Sequence, residues 1–429
     1  MCSRLALIGR ASSYNFRMKH LSIVLAALAI TGSVLAQPSK PVTIPITLDH
    51  NRIIIDVYLP LPDGSSKRVR AWVNSASPEM MMSQRVAAFF GSATCQEQRC
   101  PATPPREMLI DDLKISLSTI QAAHIPGGVP NDVMVPGMGA EMTLPSTVLR
   151  SFDVVVDYAN REFTIGEPGS IAFKGLPTKV QVSPRGVIQI AAQIEGQSCE
   201  LALDTGSGIT LVASEMISKW HAAHPVWPSL KGAVGVANML GTADEPDRQL
   251  LRIPSLQVGK SNLQNVLVGD LAPPLLQQFR QQAGVDTVGL IGGDALRNYR
   301  LGLDYAHAAV YLEPVSHGVA PDIDVVPLTL HPEPDGRYTI LTVPEFEGKS
   351  GVHDVKKGDV LLGVDGGPAT GATLGQVWSL LGGAPGQVRT LTLERDGKRF
   401  TVDASVRRLL ASATRVPIKS PRQNPHKRN

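Results

Sequence analysis

The alternation of apolar and polar side chains along the chain predicts short β-strands joined by turns. Apolar residues alternate or run together over residues 187–194 and 199–203, on either side of a Glu-Gly-Gln turn. This is the pattern of a β-hairpin, because successive side chains of a strand point to opposite faces of a sheet. Helical spacing is confined to short pieces such as residues 213–219 and 274–283. The pattern therefore predicts a mainly β chain.

Glycine and proline content agrees with many turns and few long helices. The 429 residues include 39 Gly and 33 Pro, the two residues that least favour a helix interior. With 43% hydrophobic and 18% charged residues, the chain carries enough apolar surface to offset the entropy of ordering it. Wholesale disorder, coiled coil and collagen are excluded, since the chain shows no sustained heptad and no Gly-X-Y period.

Three stretches of the first half recur in the same order in the second half, which predicts a tandem duplication of a unit of about 100–140 residues. The spacings between the matched stretches are 130, 143 and 147 residues. The matched pairs are residues 71–83 with 201–213, residues 109–121 with 252–264, and residues 148–165 with 295–312.

Residues 1–36 are expected to be a secretory signal peptide. The basic pair Lys19 and His20 precedes the apolar run 21–35, and Ala36 offers a small residue at the cleavage point. A run of this length is shorter than the ~20 residues that span a membrane as a helix, so a retained anchor is the less favoured alternative. Met18 is a second candidate for the true start. The predicted location is the bacterial periplasm or the outside of the cell.

Charge is concentrated at the two ends of the chain. Residues 1–36 hold four bases and no acid, and the residues from Arg407 onward hold seven bases and no acid. The body between them has 30 bases and 38 acids, a net charge of −8. Because a body of that sign repels phosphate, nucleic acid is not an expected partner. The basic tail, residues 411–429, is expected to be a solvated end.

Cysteine usage agrees with an oxidising compartment. Cys95 and Cys100 stand five residues apart in a loop flanked by proline and could close a small disulfide ring, with two free thiols as the alternative. Cys199 adjoins a predicted strand, so a buried free thiol is expected there.

One pentapeptide, Leu203-Asp204-Thr205-Gly206-Ser207, carries the candidate chemistry. It lies between two apolar stretches, where an unpaired carboxylate would be costly to bury. The glycine lets the backbone approach closely, and the two hydroxyls can hold the carboxylate in place. An acid kept in such a turn indicates a chemical role.

With this motif the chain resembles the aspartic peptidases, specifically the bacterial retropepsin-like family whose members often carry a PDZ domain. The later stretch Leu290-Ile291-Gly292-Gly293-Asp294 fits the same family, in which an apolar pair followed by Gly braces the catalytic loop. The resemblance implies two tandem retropepsin- or pepsin-like lobes, a peptide or protein substrate, and neither cofactor nor metal. It implies one catalytic residue, Asp204, and a set of residues that support its loop: Thr205, Gly206, Ser207, Ile291 and Gly292.

The chemistry implied by the resemblance needs two carboxylates that share one proton. The charged one takes a proton from a bound water, and the protonated one donates a hydrogen bond to the scissile carbonyl. The first copy departs from this requirement, because Asn74-Ser75-Ala76-Ser77 stands where the second copy has Asp-Thr-Gly-Ser. An Asn amide donates hydrogen bonds but cannot store a proton. Asn74 is therefore the degenerate counterpart of Asp204.

Three arrangements are compatible with Asn74. In the first, the second copies of two chains meet and place two Asp204 side chains across a two-fold axis, which predicts a homodimer through the second lobe. In the second, the copies pair within one chain and Asp204 faces Asn74. In the third, Asp56 supplies the missing carboxylate, although it lacks a turn glycine. The sequence does not decide among them.

The last segment resembles a PDZ domain. A predicted strand at residues 338–343 is followed by Lys-Gly-Asp-Val-Leu-Leu-Gly-Val-Asp-Gly at 357–366 and by a helical pattern at 374–381. PDZ domains take an extended chain end as an added strand beside a helix. The resemblance implies a C-terminal peptide ligand, held near Arg337, Tyr338, Thr339, Leu374 and Trp378.

The sequence thus predicts a secreted, mainly β protein with two lobes and a PDZ domain. The leading hypothesis is an aspartic endopeptidase with PDZ-mediated peptide recognition; the alternative is a catalytically degenerate homologue that binds peptides. The predicted boundaries are a signal peptide at 1–36, a first lobe at 37–173, a second lobe at 174–318, a linker at 319–334, a PDZ domain at 335–410 and a basic tail at 411–429.

Overall fold

The computed structural model describes residues 40–315, 323–346 and 348–413, which fall in one unit, Ser39–Asn429. The predicted signal peptide lies outside the described residues, as does most of the basic tail. The prediction of a mainly β chain is confirmed. In the described part of the chain, no helix is both long and apolar enough to cross a membrane.

The first repeat folds into a lobe of strands with two short helices. Ser83 starts the first helix, because its side chain accepts a hydrogen bond from the backbone of Val86. The strands are β1 (Val42–Pro45), β2 (Thr47–Asp49), β3 (Arg52–Pro60), β4 (Ser66–Asn74), β5 (Met80–Met81), β6 (Arg99–Ala102), β7 (Glu107–Ile110), β8 (Leu113–Ser116), β9 (Ala123–Pro126), β10 (Met142–Pro145), β11 (Asp153–Asp157) and β12 (Glu162–Gly166), and the helices are α1 (Gln84–Ala88) and α2 (Ser146–Leu149).

The second repeat forms a lobe with longer strands and longer helices. The predicted hairpin turn adopts positive φ angles at Glu195 and Gly196, the conformation of a tight two-residue turn. The strands are β13 (Pro177–Lys179), β14 (Gln181–Val182), β15 (Ile188–Ile194), β16 (Gln197–Leu203), β17 (Thr210–Ala213), β18 (Ser229–Lys231), β19 (Gln249–Val258), β20 (Ser261–Leu271), β21 (Gly289–Ile291), β22 (Tyr299–Asp304) and β23 (Ala309–Pro314), the α-helices are α3 (Ser214–Ala223), α4 (Pro273–Ala283) and α5 (Gly293–Leu296), and the 3₁₀ helices are η1 (Gly235–Ala237) and η2 (Glu245–Asp247).

The C-terminal module has one helix and a six-stranded antiparallel sheet, with five strands in one order and a short sixth strand at the side. The sheet order is β25-β26-β29-β31-β32, and a capping box formed by Thr373 and Gln376 starts the helix. The strands are β24 (Asp324–Val325), β25 (Thr329–Pro332), β26 (Tyr338–Thr342), β27 (Glu345–Phe346), β28 (Lys349–Ser350), β29 (Val360–Val364), β30 (Gly367–Pro368), β31 (Val388–Arg395), β32 (Lys398–Ser405) and β33 (Arg407–Arg408), and the helix is α6 (Leu374–Leu381).

A six-stranded antiparallel sheet joins the two lobes, in the order β1-β12-β11-β22-β23-β13. At its centre β11 pairs with β22, with Asp153 opposite Asp304 and Asp157 opposite Arg300. Within this sheet, β11 corresponds to β22, β12 to β23 and β1 to β13, each at the same distance from the centre. The sheet therefore has an approximate two-fold axis between β11 and β22, as a duplicated chain would give.

In each lobe, the strand that leads into the turn of Asn74 or Asp204 has a parallel neighbour. β4 ends at Asn74 and runs parallel to β10, while β16 leads to Asp204 and runs parallel to β21. β10 and α2 are thus the first-lobe counterparts of β21 and α5. The sequence comparison did not detect this match, because the first lobe has Pro145-Ser146 where the second has Gly292-Gly293.

The structure corrects one of the three repeat alignments. The hairpin of β7 and β8 turns between Ile110 and Leu113, and the equivalent hairpin of β19 and β20 turns between Val258 and Ser261. Ile110 therefore corresponds to Val258, a spacing of 148 residues. Short alternating stretches match one another in several registers, so the spacing of 143 residues was wrong.

Residues 319–334 were predicted to be a linker, and this prediction is wrong for the second half of that stretch. β25 forms an edge of the C-terminal sheet, and β24 pairs with β33 at the other end of the module. Leu328 and Leu330 are fully buried, which gives this stretch a core-facing side. The module therefore begins about where the described residues resume at Ile323, earlier than the predicted boundary at 335.

Two large apolar clusters hold these parts together. One is shared by the two lobes and the joining sheet, and includes Val73, Phe163 and Leu203. The other continues from the second lobe into the C-terminal module and includes Ile209 and Trp378. Because the second cluster crosses the boundary, the C-terminal module is packed against the second lobe and does not hang from a free linker.

Candidate active site

Four hydrogen bonds tie the Asn74 turn of the first lobe to the Asp204 turn of the second lobe. Ser75 Oγ donates to the Leu203 carbonyl at 2.8 Å and accepts from Thr205 N at 3.0 Å. Thr205 Oγ1 donates to the Val73 carbonyl at 3.0 Å and accepts from Ser75 N at 3.2 Å. The two bonds of Ser75 Oγ are equivalent to the two bonds of Thr205 Oγ1, so the network follows the two-fold symmetry of the fold. The residues that immediately precede Ser75 and Thr205 are thereby brought to the same place.

Asn74 and Asp204 accordingly meet within one chain, which is the second of the three arrangements. A Cβ atom built on Gly206, in the turn of Asp204, would lie 2.4 Å from Cγ of Asn74. For Asp204 to meet a second Asp204 from another chain, the four bonds between Ser75 and Thr205 would have to break. Asp56 does not line the cleft: its carboxylate forms a 2.8 Å ion pair with Arg68 at the surface. The third arrangement is therefore wrong.

The Asp204 carboxylate is buried and held by its own turn. Gly206 N donates to Oδ1 at 2.8 Å, and Ser207 Oγ donates to Oδ2 at 2.5 Å. Burial raises the pKa of Asp204, and the hydrogen bonds from Ser207 and Gly206 oppose that rise. A carboxyl with a raised pKa can accept a proton from water more readily than an ordinary one.

Asn74 uses the same backbone donors but presents a different atom. Its Oδ1 accepts from Ala76 N at 3.1 Å and from Ser77 N at 2.9 Å. That orientation of the amide leaves Nδ2 on the side away from its own turn. Asn74 therefore brings a hydrogen-bond donor to the site where the resemblance requires a second acid.

Behind Asp204, the second lobe braces its turn as the resemblance implies. Asp204 N donates to the Ile291 carbonyl at 3.0 Å, and a Cβ on Gly292 would lie 1.9 Å from the Ile209 carbonyl oxygen. The buried carboxylate of Asp294 accepts from Thr210 N at 2.9 Å. Ile291 and Gly292 thus act on the shape of the turn and do not line the cleft.

A narrow cleft of about 200 Å³ opens in front of the two turns. Small-molecule sites in proteins usually measure about 300–1,000 Å³, so this cleft accepts only a short group as it stands. Among the described residues that line it, Asp204 alone has an acidic or basic side chain. The lining residues are Asn74, Ala76, Ser77, Pro78, Asp204, Ser207, Leu271, Phe279, Gln282 and Leu290.

Several residues of the site were not found from the sequence. Leu271, Phe279 and Gln282 reach the cleft from the end of β20 and from α4. Tyr158 lies under the site, where burial and then the charge of Asp204 raise its pKa above the usual range. Its hydroxyl is buried and lacks a hydrogen-bond partner among the described residues. Only the matching Asp-Tyr pairs of the two repeats could have drawn attention to it.

Cys95 and Cys100 form a disulfide, with a Cα–Cα distance of 5.5 Å. Cys199 is a half-buried free thiol, and burial raises its pKa to about 11. A thiol with so high a pKa is a poor nucleophile. None of the three cysteines lines the cleft.

The residues predicted to hold a chain end fall into two groups. β26, which contains Tyr338 and Thr339, pairs with β25 on one side and β29 on the other, so it cannot accept an added strand. Arg337 makes a 2.7 Å ion pair with Asp335. The prediction for Arg337, Tyr338 and Thr339 is therefore wrong, because the stretch taken for a linker supplies the edge strand.

Leu374 and Trp378 do lie on the buried face of α6. That face belongs to the apolar cluster shared with the second lobe. The first turn of α6 is also fixed to the first lobe, since Leu374 N donates to the Gly137 carbonyl at 2.6 Å and Gly375 N to Asp49 Oδ1 at 3.2 Å. The helix face that would flank a bound chain end is therefore already packed.

The chain matches no protein-family model and no curated protein. Among solved structures it is similar to the aspartic proteinase from Irpex lacteus, with a TM-score of 0.36 and 16% sequence identity. The match covers 66% of this chain and 99% of that one. A similarity of this degree concerns the path of the chain and says nothing about activity.

Proposed function

We propose that this chain is an acid-protease-like protein that binds a peptide segment at the Asn74–Asp204 cleft and hydrolyses it poorly. The observation that carries the proposal is the four-bond network between Ser75 and Thr205, which sets Asn74 beside Asp204 in one chain. Asp204 can take a proton from water, and Asn74 can donate a hydrogen bond to a carbonyl oxygen. No second carboxyl of the described residues lines the cleft to give a proton to the scissile carbonyl oxygen as water attacks.

The chemical cost of that missing acid is large. General acid–base assistance typically contributes about 10²–10⁴-fold to a rate, and an Asn amide can hydrogen-bond to the developing oxyanion but cannot give it a proton. The apolar side chains of Leu271, Phe279 and Leu290 and the amides of Asn74 and Gln282 remain suited to a short extended peptide. The alternative drawn from the sequence, a degenerate homologue, is therefore preferred to the endopeptidase.

The proposal places the protein outside the cytoplasm. It is supported by the signal-peptide pattern of residues 1–36 and by the disulfide between Cys95 and Cys100, since disulfides persist mainly in oxidising compartments. The C-terminal module is proposed to be PDZ-like, which its six-stranded antiparallel sheet and single helix support. Its role in this proposal is to pack against the lobes.

The first experiment restores the missing acid. Asn74→Asp is expected to raise cleavage of a labelled, unfolded casein at pH 4 by at least about 10²-fold over wild type, because two adjacent carboxyls then share a proton. The double variant Asn74→Asp/Asp204→Asn is expected to fall back to the wild-type level, because it again has one acid and one amide at the site. Asn262→Asp, at an exposed position of β20, adds the same charge elsewhere and is expected to leave cleavage at the wild-type level.

Binding is measured separately with pepstatin, a peptide analogue of the hydrolytic transition state. A rise in the melting temperature of wild type on adding pepstatin is expected, with a larger rise for Asn74→Asp. Wild-type cleavage as fast as that of Asn74→Asp would show that Asn74 does not limit the site. No gain of activity and no pepstatin shift in either protein would show that the cleft does not bind peptides.

A further inference from the structure

A loop of the second lobe crosses to the C-terminal module. It comprises residues 233–241, contains η1, and lies between the short strand β18 and the long strand β19. η1 packs against α6, and the loop side chains Val234, Val236 and Met239 share an apolar cluster with Leu330 and Trp378. The loop thus fills the space between the edge strand β25 and the helix α6.

Asn238 bonds to the edge of β25 as a neighbouring strand would. Its Oδ1 accepts from Leu330 N at 2.8 Å, and its Nδ2 donates to the Leu330 carbonyl at 3.0 Å. One carboxamide therefore satisfies both backbone groups that Leu330 would offer to an added strand. Asn238 is fully buried, and its Nδ2 also donates to Glu245, which fixes the amide in this orientation.

Two further bonds hold the loop along the same strand. Thr329 Oγ1 donates to the Ala233 carbonyl at 2.7 Å, and His331 Nδ1 lies 2.5 Å from the Gly241 carbonyl oxygen. Gly241 has a positive φ, and a Cβ there would lie 2.2 Å from Cδ of Pro332. Contacts at Thr329, Leu330, His331 and Pro332 cover the whole length of β25.

The other side of the loop touches the turn of Asp204. Gly208 N lies 3.1 Å from Sδ of Met239, and a Cβ on Gly208 would lie 2.9 Å from Cγ2 of Val236. The Met239 carbonyl accepts from the fully buried guanidinium of Arg52 at 2.7 Å. Loop residues 236–239 therefore connect the groove to the segment that follows Ser207.

We propose that the groove between β25 and α6 is a binding site for a peptide segment with small apolar side chains around one asparagine, and that residues 233–241 are its resident ligand. An external chain of the same chemistry binds only when the loop is released. Asn238 is a positioning residue for the Asp204 turn, and this second statement rests on the function proposed above. The groove itself does not depend on that function.

A resident ligand has a large advantage over a free one. A tethered segment faces its site at an effective concentration on the order of millimolar. A free peptide must exceed that concentration or meet a weakened loop. The wild-type groove is therefore closed to external peptides at ordinary concentrations, which distinguishes it from an open receptor for chain ends.

The test uses a fluorescein-labelled nonapeptide that copies residues 233–241, and a second peptide in which its asparagine is alanine. Asn238→Ala removes both bonds to Leu330 and is expected to bind the first peptide at least ten times more tightly than wild type does. The alanine peptide is expected not to bind the variant measurably. Asn262→Ala, on the exposed side of β20, is the matched control and should behave as wild type.

Hydrogen exchange reports on the connection to Asp204. In Asn238→Ala, exchange is expected to rise at least tenfold in residues 233–241 and also in residues 204–210, whereas Asn262→Ala changes neither. Thr329→Val removes only the bond to Ala233 and should act in the same direction more weakly, which serves if Asn238→Ala does not fold. Equal peptide binding by wild type, Asn238→Ala and Thr329→Val would overturn the groove assignment. Unchanged exchange at 204–210 in a released loop would overturn the positioning role.

The two readouts need no cleavage of any substrate. If Asn74→Asp gains no activity while the loop peptide binds Asn238→Ala, the groove assignment stands and the function proposed for the cleft fails. If cleavage behaves as expected while no variant binds the loop peptide, the function proposed for the cleft stands and the groove assignment fails.

Discussion

The turn of Asn74 in the first lobe and the turn of Asp204 in the second make the same hydrogen bonds to each other and different ones within themselves. Ser75 and Thr205 exchange equivalent bonds across the two-fold axis. Within the turns, Ser207 Oγ donates to the outer oxygen of Asp204, whereas Asn74 keeps its oxygen on the backbone donors. The framework that joins the two turns is therefore symmetric, while the side chains that it holds differ in proton chemistry.

The comparison also separates two kinds of residue within one motif. Residues that hold the two lobes together, such as Ser75, are as necessary to a binding protein as to an enzyme. The residue that handles protons is needed only for hydrolysis. A chain that loses the second kind and keeps the first still folds into the same cleft, and the variants below test each side of that distinction.

The largest expected change is in the free energy of unfolding, and it differs between substitutions at Gly206 and at its counterpart Ala76. Gly206→Ala would drive a methyl group into the Asn74 amide, 2.4 Å away, and is expected to lower the free energy of unfolding by about 3 kcal/mol. Ala76→Gly removes a methyl that packs in the second apolar cluster, at an expected cost of about 1 kcal/mol. Urea unfolding measures both.

Equal losses in the free energy of unfolding for Gly206→Ala and Ala76→Gly would contradict this expected difference between the two turns. The double variant Gly206→Ala/Asn74→Ala is the control, because a shortened side chain at position 74 makes room for the new methyl. Recovery of most of the loss in that variant is expected, and a simple sum of the two losses would place the clash elsewhere.

A smaller and symmetric effect is expected at the bonds between the turns. Ser75→Ala and Thr205→Val each remove a hydroxyl that makes two of the four bonds and leave buried backbone groups unpaired. Each is expected to cost about 2 kcal/mol, with a double variant that departs from the sum because the two residues are in direct contact. Losses that differ more than twofold between Ser75 and Thr205 would contradict the symmetry of the network.

The smallest expected effect depends on pH. Burial raises the pKa of Asp204, so the folded chain holds that proton more tightly than the unfolded chain, and the ionised form costs stability above the ordinary Asp pKa. Asp204→Asn removes that cost. It is expected to stabilise the protein at pH 7 by less than about 1 kcal/mol, with no gain at pH 3, where both states are protonated.

Melting temperatures of wild type and Asp204→Asn across pH 3–8 measure this difference. Asn fits the position, because Asn74 already occupies the equivalent place with its oxygen on backbone donors. A gain that grows toward low pH would mean that Asp204 has a lowered pKa in the folded chain.

The sequence was informative wherever a property belongs to a short stretch. Helix α6 has the bounds that its apolar spacing predicts, with Leu374, Val377, Trp378 and Leu381 buried. The hairpin around Glu195 and Gly196 follows from a local pattern as well. In each case neighbouring residues alone carry the signal.

Long-range contacts were not readable in the same way. The loop of residues 233–241 shows no motif, yet Asn238 bonds to Leu330, 92 residues away. Proline and acids made residues 319–334 look like a linker, while the buried side chains of Leu328 and Leu330 make part of it an edge strand. No local pattern states which distant segment will complete a sheet edge.

The sequence by itself determined that the chain is mainly β and duplicated, with an acid in one of the two equivalent turns and an amide in the other, since residue identity and period are written along the chain. The tertiary structure alone decided that these turns face each other in one molecule and that the C-terminal groove holds a loop of the second lobe. Both decisions depend on hydrogen bonds and apolar contacts between segments far apart in the sequence, which exist only once the chain has folded.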